Sequence, residues 1–136
     1  DAFIKIIKEE KARGATIVMS NHMFDELEET CDYVAFIKDG QLIDIVEMKL
    51  IHNHPIKEYE LVLKNEKSFG YVRSLPYVNV IKENRKAHSL YISIKRKDTK
   101  AFLDALSKTD VKLLKEVLYN LERFFMDNII GGITHE

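Results

Sequence analysis

The rhythm of apolar and polar positions changes several times along this 136-residue chain, and each change marks an element. Phe3, Ile4, Ile6 and Ile7 recur at helical spacing among lysines and glutamates, which predicts a helix over 2–13. Gly14, after Lys11 and Arg13, is a suitable stop, with basic side chains at the negative end of the helix dipole. Residues 15–20 form a short continuous apolar run rich in β-branched types. Such runs suit a strand buried on both faces of a parallel sheet. A second helix begins after His22, with Asp25 and Glu26 in its first turn, where carboxylates favour the dipole. Segments 33–38 and 41–46 then flank Asp39-Gly40, a strong hairpin signal.

The pattern loosens between Met48 and Pro55, and 49–56 reads as a linker. Beyond it Tyr59, Leu61 and Leu63 alternate, predicting a strand at 57–64. Phe69, Val72 and Leu75 predict a short helix over 68–75 ending at Pro76. Strands are expected at 77–83 and 89–95, with Leu90, Ile92 and Ile94 on one face. Asp98 is placed to cap a helix at 99–107 whose inward residues are Phe102, Ala105 and Leu106. A strand at 111–118 follows. Asn120 then caps a final helix carrying Leu121, Phe124, Phe125 and Ile129 on one stripe. The reading is an α/β fragment over 1–48, the linker, and an α+β domain over 57–136 with the β-α-β-β-α-β order of a ferredoxin-like unit.

Composition narrows the class. Apolar and charged fractions of 46% and 32%, with two prolines and five glycines, describe a globular chain without a long disordered tract. No apolar run approaches the roughly 18 residues of a membrane span, and there is no signal peptide. One cysteine, Cys31, excludes an intramolecular disulfide and suits a reducing compartment, with the cytosol as default. Charge is shared unevenly. Residues 1–56 hold 6 Lys+Arg against 11 Asp+Glu, and 57–136 hold 15 against 11, which together give the net −1. The second part could face an acidic partner or the first part itself.

Three consecutive stretches carry a family resemblance. Thr16-Ile-Val-Met-Ser-Asn-His22, then Asp25-Glu-Leu-Glu-Glu-Thr-Cys-Asp32, then Val34-Ala-Phe-Ile-Lys-Asp-Gly-Gln-Leu-Ile43, resemble the H-loop region of an ABC transporter ATP-binding subunit. Asn21 stands where Ser or Thr is commoner in that family, and Tyr33 where Arg is common. The resemblance covers about the first third of the chain. It implies that 1–48 is the end of a P-loop NTPase core and that His22 is the catalytic switch residue, touching the γ-phosphate of ATP. ATP and Mg²⁺ are then the implied cofactors of the parent protein. The implied partners are a transmembrane transporter subunit and a second copy of the ATPase subunit, with the protein peripheral at the inner face of the cell membrane. No nucleic acid is implied.

The phosphate-binding half of such a site is not in these residues. Gly14, Gly40, Gly70, Gly131 and Gly132 are not spaced as G-x-x-x-x-G-K-[ST], whose backbone N–H groups and lysine hold the phosphates. There is also no Asp-Glu strand end for Mg²⁺ and no LSGGQ-like signature. With Asp1 as its first residue, the chain reads as the carboxyl-terminal piece of a longer ATPase, not expected to hydrolyse ATP or bind a cofactor alone.

Other candidates have blander readings. Glu26, Glu28 and Glu29 suit a solvated, dipole-favouring helix face better than an acid–base cluster. Cys31 reads as a small buried residue. His52 and His54 would share one side of a strand, but no Cys or acid cluster completes a metal site, and none is expected. Lys67-Ser-Phe-Gly-Tyr-Val-Arg-Ser74 resembles an RNA-binding RRM signature, with Leu90-Tyr91-Ile92 as its companion. Ser68 and Ser74 break that signature, and the two motifs stand in reversed order. The basic run Lys82–Lys97 keeps an alternative open: an RNA- or anion-binding module on an inactive scaffold.

Overall fold

The computed structural model describes residues 1–131; the ends of the final helix and of the 57–136 domain as read from the sequence fall partly outside them. The described chain divides into two compact units, one formed by residues 1–53 with the segment from Asn120 onward, the other by His54–Tyr119. It is a mixed fold with two antiparallel sheets.

In the first unit α1 (Ala2–Ala12) is followed by α2 (Phe24–Thr30), β1 (Tyr33–Lys38), β2 (Gln41–Glu47) and α3 (Met48–His52). The hairpin forms as its turn residues require. Asp39 and Gly40 both adopt positive φ, 51° and 74°, the geometry that joins two twisted antiparallel strands through two residues. Its inner face brings Val34 opposite Val46, both buried. The outer face carries Tyr33, Ile37, Leu42 and Ile45, all exposed.

Two expectations for this unit are corrected. No strand forms at 15–20: the segment is irregular, and Val18 is 95% exposed. An apolar run becomes a strand only where neighbouring strands accept its ladder hydrogen bonds, and the described sheet order gives it no neighbour. The division between the units, after Asn53, falls inside the linker read as 49–56, but the first residues of that segment are helical. Met48 and Ile51 are buried in α3, so packing continues there and the loose pattern was one amphipathic turn.

The last helix also lies in the first unit. α6 (Leu121–Phe124) continues through wider turns over Phe125–Ile130. Asn120 caps it as expected, its Oδ1 accepting from the Arg123 N–H at 2.8 Å. Leu121 and Ile129 are buried, while Phe124 stacks against Phe36, and Phe125 against both Phe36 and Phe24. The apolar stripe was read correctly, but it completes the core around α2 and β1 instead of closing the second unit.

The second unit runs β3 (Ile56–Leu63), α4 (Glu66–Arg73), β4 (Asn79–Asn84), β5 (Ser89–Lys95), α5 (Thr99–Leu106) and β6 (Val111–Val117). Its four strands pair antiparallel in the order β4-β5-β3-β6. Tyr59, Leu61 and Leu63 alternate inward beside Leu90, Ile92 and Ile94. Phe69 and Val72 of α4 and Phe102 and Leu106 of α5 cover that face, making one core. Asn65 starts α4, accepting from the Ser68 N–H at 2.8 Å. Asp98 makes no such bond. A short 3₁₀ turn over Arg96–Asp98 precedes α5, and the Thr99 hydroxyl closes it by donating to the Arg96 carbonyl.

Candidate functional site

His22 lies at the end of the irregular segment, one residue before the Met23 cap of α2. Asn21 shapes this approach. Its Oδ1 accepts from the Met23 N–H at 2.9 Å, and its Nδ2 donates to Glu26 Oε2 at 2.6 Å. An Asn side chain that bonds its own backbone two residues on forms a local turn, and the Glu26 bond ties that turn to the helix. The result leaves His22 exposed, and among the described residues it makes no hydrogen bond or ion pair. An imidazole so placed can donate one N–H to an anion arriving from outside.

His22 is not among the residues that line the open depression of this unit. Asp25, Glu28 and Glu29 line it together with His52. Three carboxylates repel phosphate rather than hold it. Glu28 has a structural task, accepting the backbone N–H of Leu121 at the start of α6. Glu29 pairs with Lys8, and Lys11 reaches Asp32 and the Thr30 carbonyl. Glu28 thus departs from the solvated helix face expected of it, while Glu29 is exposed. His22 is the phosphate contact the sequence implies, and the sequence holds no G-x-x-x-x-G-K-[ST] loop to cradle phosphates beside it.

The remaining candidates are dispersed. His52 belongs to α3 in the first unit. His54 belongs to the second, where its ring stacks on Tyr119 at 3.8 Å and its Nδ1 lies 3.3 Å from the Ile56 N–H. Among the described residues no group of three His, Cys, Asp or Glu side chains is arranged to hold a metal ion. Cys31 is half-buried, more open than expected, with its Sγ 3.8 Å from the Thr30 hydroxyl.

The RRM-like stretch is helical, and its Phe69 and Val72 are fully buried against the inward face of the sheet. The open face presents Glu58 and Glu60, and the Tyr91 hydroxyl donates to Glu58 at 2.5 Å. Two arginines of the basic run have partners. Arg85 pairs with Glu66 and lies over the Phe69 ring, and Arg96 donates to the His54 carbonyl. Just outside the run, Arg73 pairs with Glu83. The Glu83 carboxyl is held below the ordinary range by its hydrogen bond from Arg73. Among the described residues no helix is long and apolar enough to cross a membrane.

Two curated proteins are similar to this chain. Over 124 residues it is 25% identical to an uncharacterized ABC transporter ATP-binding protein, YcbN, of Bacillus subtilis (strain 168). That match takes in 90% of this chain and 40% of the relative. Over 75 residues it is 28% identical to an uncharacterized ABC transporter ATP-binding protein, BpOF4_11395, of Alkalihalophilus pseudofirmus, covering 55% of this chain and 28% of that relative. The chain thus spans well under half the length of the relatives it matches. No protein-family model matches it. A match of 124 residues cannot fit in the first unit and must run through most of the second, so the similarity extends beyond the motif-bearing third.

Proposed function

We propose that this chain forms part of an ATP-hydrolysing subunit of an ABC transporter. In this reading His22 is the switch histidine, and the accessory domain read as 57–136 is the ferredoxin-like second unit, His54–Tyr119. The observation that carries the reading is the coincidence of two things. The run ending in His22 has the H-loop pattern, and the two similar proteins are both named ABC transporter ATP-binding proteins. The exposed, unengaged position of His22 supports it, since a γ-phosphate contact needs a free ring N–H. The apolar outer face of the β1–β2 hairpin supports it too. Tyr33, Ile37, Leu42 and Ile45 offer the surface that a further layer of an ATPase core would cover. The β-α-β-β-α-β order with sheet order β4-β5-β3-β6 supports the accessory assignment.

Phosphoryl transfer depends chiefly on positioning and charge stabilisation. His22 supplies one such group; the phosphate cradle and the Mg²⁺ ligands come from residues outside this chain. The subunit then works with a transmembrane partner and a second ATPase copy, peripheral to the membrane. The test begins with the coding sequence upstream of Asp1. A P-loop lysine and an LSGGQ-like signature there, followed by a loss of about 100-fold or more in ATPase turnover in His22→Ala, is the expected result. Absence of both motifs, or full turnover in the variant, overturns the reading.

A further inference from the structure

We propose that one end of the second unit is a docking surface for the anionic head groups of a phospholipid membrane. His54–Tyr119 hold 14 Lys+Arg against 8 Asp+Glu, whereas the rest of the chain holds 7 against 14. Half of the unit's excess stands where β3 and β4 end and β5 and β6 begin. Three segments meet there, 64–68, 84–88 and 107–110, with 5 Lys+Arg against 2 Asp+Glu. The eight residues of β3 separate this end from His54, where the chain enters the unit.

Hydrogen bonds tie the three segments into one surface. The Leu63 N–H donates to the His88 carbonyl and the Lys64 N–H to the Asp110 carbonyl, each at 2.9 Å. The Asp110 N–H donates to the Ser68 hydroxyl at 3.0 Å, and Asn65 Nδ2 donates to Asp110 Oδ2 at 3.0 Å. Arg85 pairs with Glu66 at 3.4 Å, so these two charges offset each other. Lys64, Lys67, Lys86 and Lys108 remain, each within two residues of one of these bonds. All four are exposed, and none forms an ion pair among the described residues. One further carboxylate, Asp110, stands among them.

The chemistry of this end selects its occupant. A protein partner is anchored by aromatic or aliphatic side chains at the centre of the contact, and the three segments hold one apolar residue, Ala87. Single-stranded RNA is held by bases stacked on rings. The one ring here, His88, is turned to Phe69 at 6.1 Å, with its Nε2 3.6 Å from Glu66. An anionic bilayer asks for neither anchor nor stacking platform. Its surface potential attracts basic side chains in proportion to their number, and clusters of about four to eight suffice. Lysine suits such a fluid surface, because its ammonium is a hydrated point charge on a flexible stem and needs no fixed acceptor geometry.

The docking uses neither His22 nor nucleotide, so its failure leaves the ATPase reading where it stood. The whole chain is sedimented with vesicles of phosphatidylcholine containing about 30% phosphatidylserine, and with phosphatidylcholine alone. At about 0.1 M salt it should partition onto the first and not the second, and about 0.5 M salt should release it. Lys64→Gln and Lys86→Gln should each weaken partitioning by about fivefold, the worth of one lysine near such a surface. Lys97→Gln and Lys100→Gln lie at the other end of the unit, beside Arg96, whose N–H donates to the Pro55 carbonyl. They should leave partitioning within about twofold, which separates a local surface from net charge. Absence of binding, equal binding to phosphatidylcholine alone, equal losses in both pairs of variants, or single-stranded RNA held by the same lysines at the same salt overturns the proposal.

Discussion

The Glu28 carboxylate on α2 accepts the backbone N–H of Leu121, 93 residues further along the chain. This bond satisfies one of the orphan donors at the start of α6 and puts a negative charge at its positive end. It helps explain why the last helix belongs with the first unit. Glu28→Ala is expected to destabilise that unit by about 1.5–3 kcal/mol, the range for a hydrogen bond to a charged group. Glu28→Gln, which keeps an acceptor, should cost less. Urea unfolding of the two variants would show equal losses if the contact contributed nothing.

The residues that precede the two helices of the second unit differ as caps. Asn65 caps α4 and also donates to Asp110 at 3.0 Å, whereas Asp98 makes no cap bond. Asn65→Ala should therefore cost about 1–2 kcal/mol, and Asp98→Ala no more than about 0.5. Thermal melts in which the order is reversed would contradict the assignment.

Phe102 is fully buried and packs against Tyr59 at a centroid distance of 5.2 Å. Truncation to alanine removes an aromatic ring from the centre of the only core shared by both helices of the second unit. A loss of about 3–5 kcal/mol is expected. His22→Ala, at an exposed position with no partner among the described residues, should change stability by less than about 0.5 kcal/mol. A hydrogen-exchange comparison would expose either expectation as wrong: loss of protection at Ile92 belongs to the first variant alone.

Arg73 lowers the Glu83 pKa through its hydrogen bond. A depressed folded-state pKa gives a contribution that is present above the ordinary Glu value and is lost as pH falls through the folded value. Both groups are surface residues, so the effect on stability should be slight. The titration itself is the useful readout. Carbon-detected NMR should place Glu83 below an ordinary glutamate, and Arg73→Ala should return it. An unchanged midpoint would remove the pair.

The open face of the second sheet carries Glu58 and Glu60 beside Tyr91, whose hydroxyl donates to Glu58. Binding of single-stranded RNA should be absent even at low salt, where counterion release favours it most. Salt-sensitive binding in a fluorescence titration would revive the nucleic-acid alternative.

Features whose causes are local were legible in the chain itself. The Asp39-Gly40 turn needs only two residues able to take positive φ, so the hairpin could be placed in advance. Asn120 caps its helix through a bond to the N–H three residues on. Strict alternation at Tyr59, Leu61 and Leu63 described a face that had to be buried wherever the sheet formed.

Tertiary structure decided what depends on partners distant in sequence. The apolar run at 15–20 has strand composition, yet with no neighbouring strand to accept its backbone bonds it stays irregular. Met48 and Ile51 turn a polar-looking linker into a helix because the first unit has a core for them to enter. The stripe on the last helix announced burial but not its destination, which rests on Phe24, Phe36 and Glu28 far upstream. Periodicity reports that a face must be hidden. Only the three-dimensional arrangement of complementary faces determines which surface hides it.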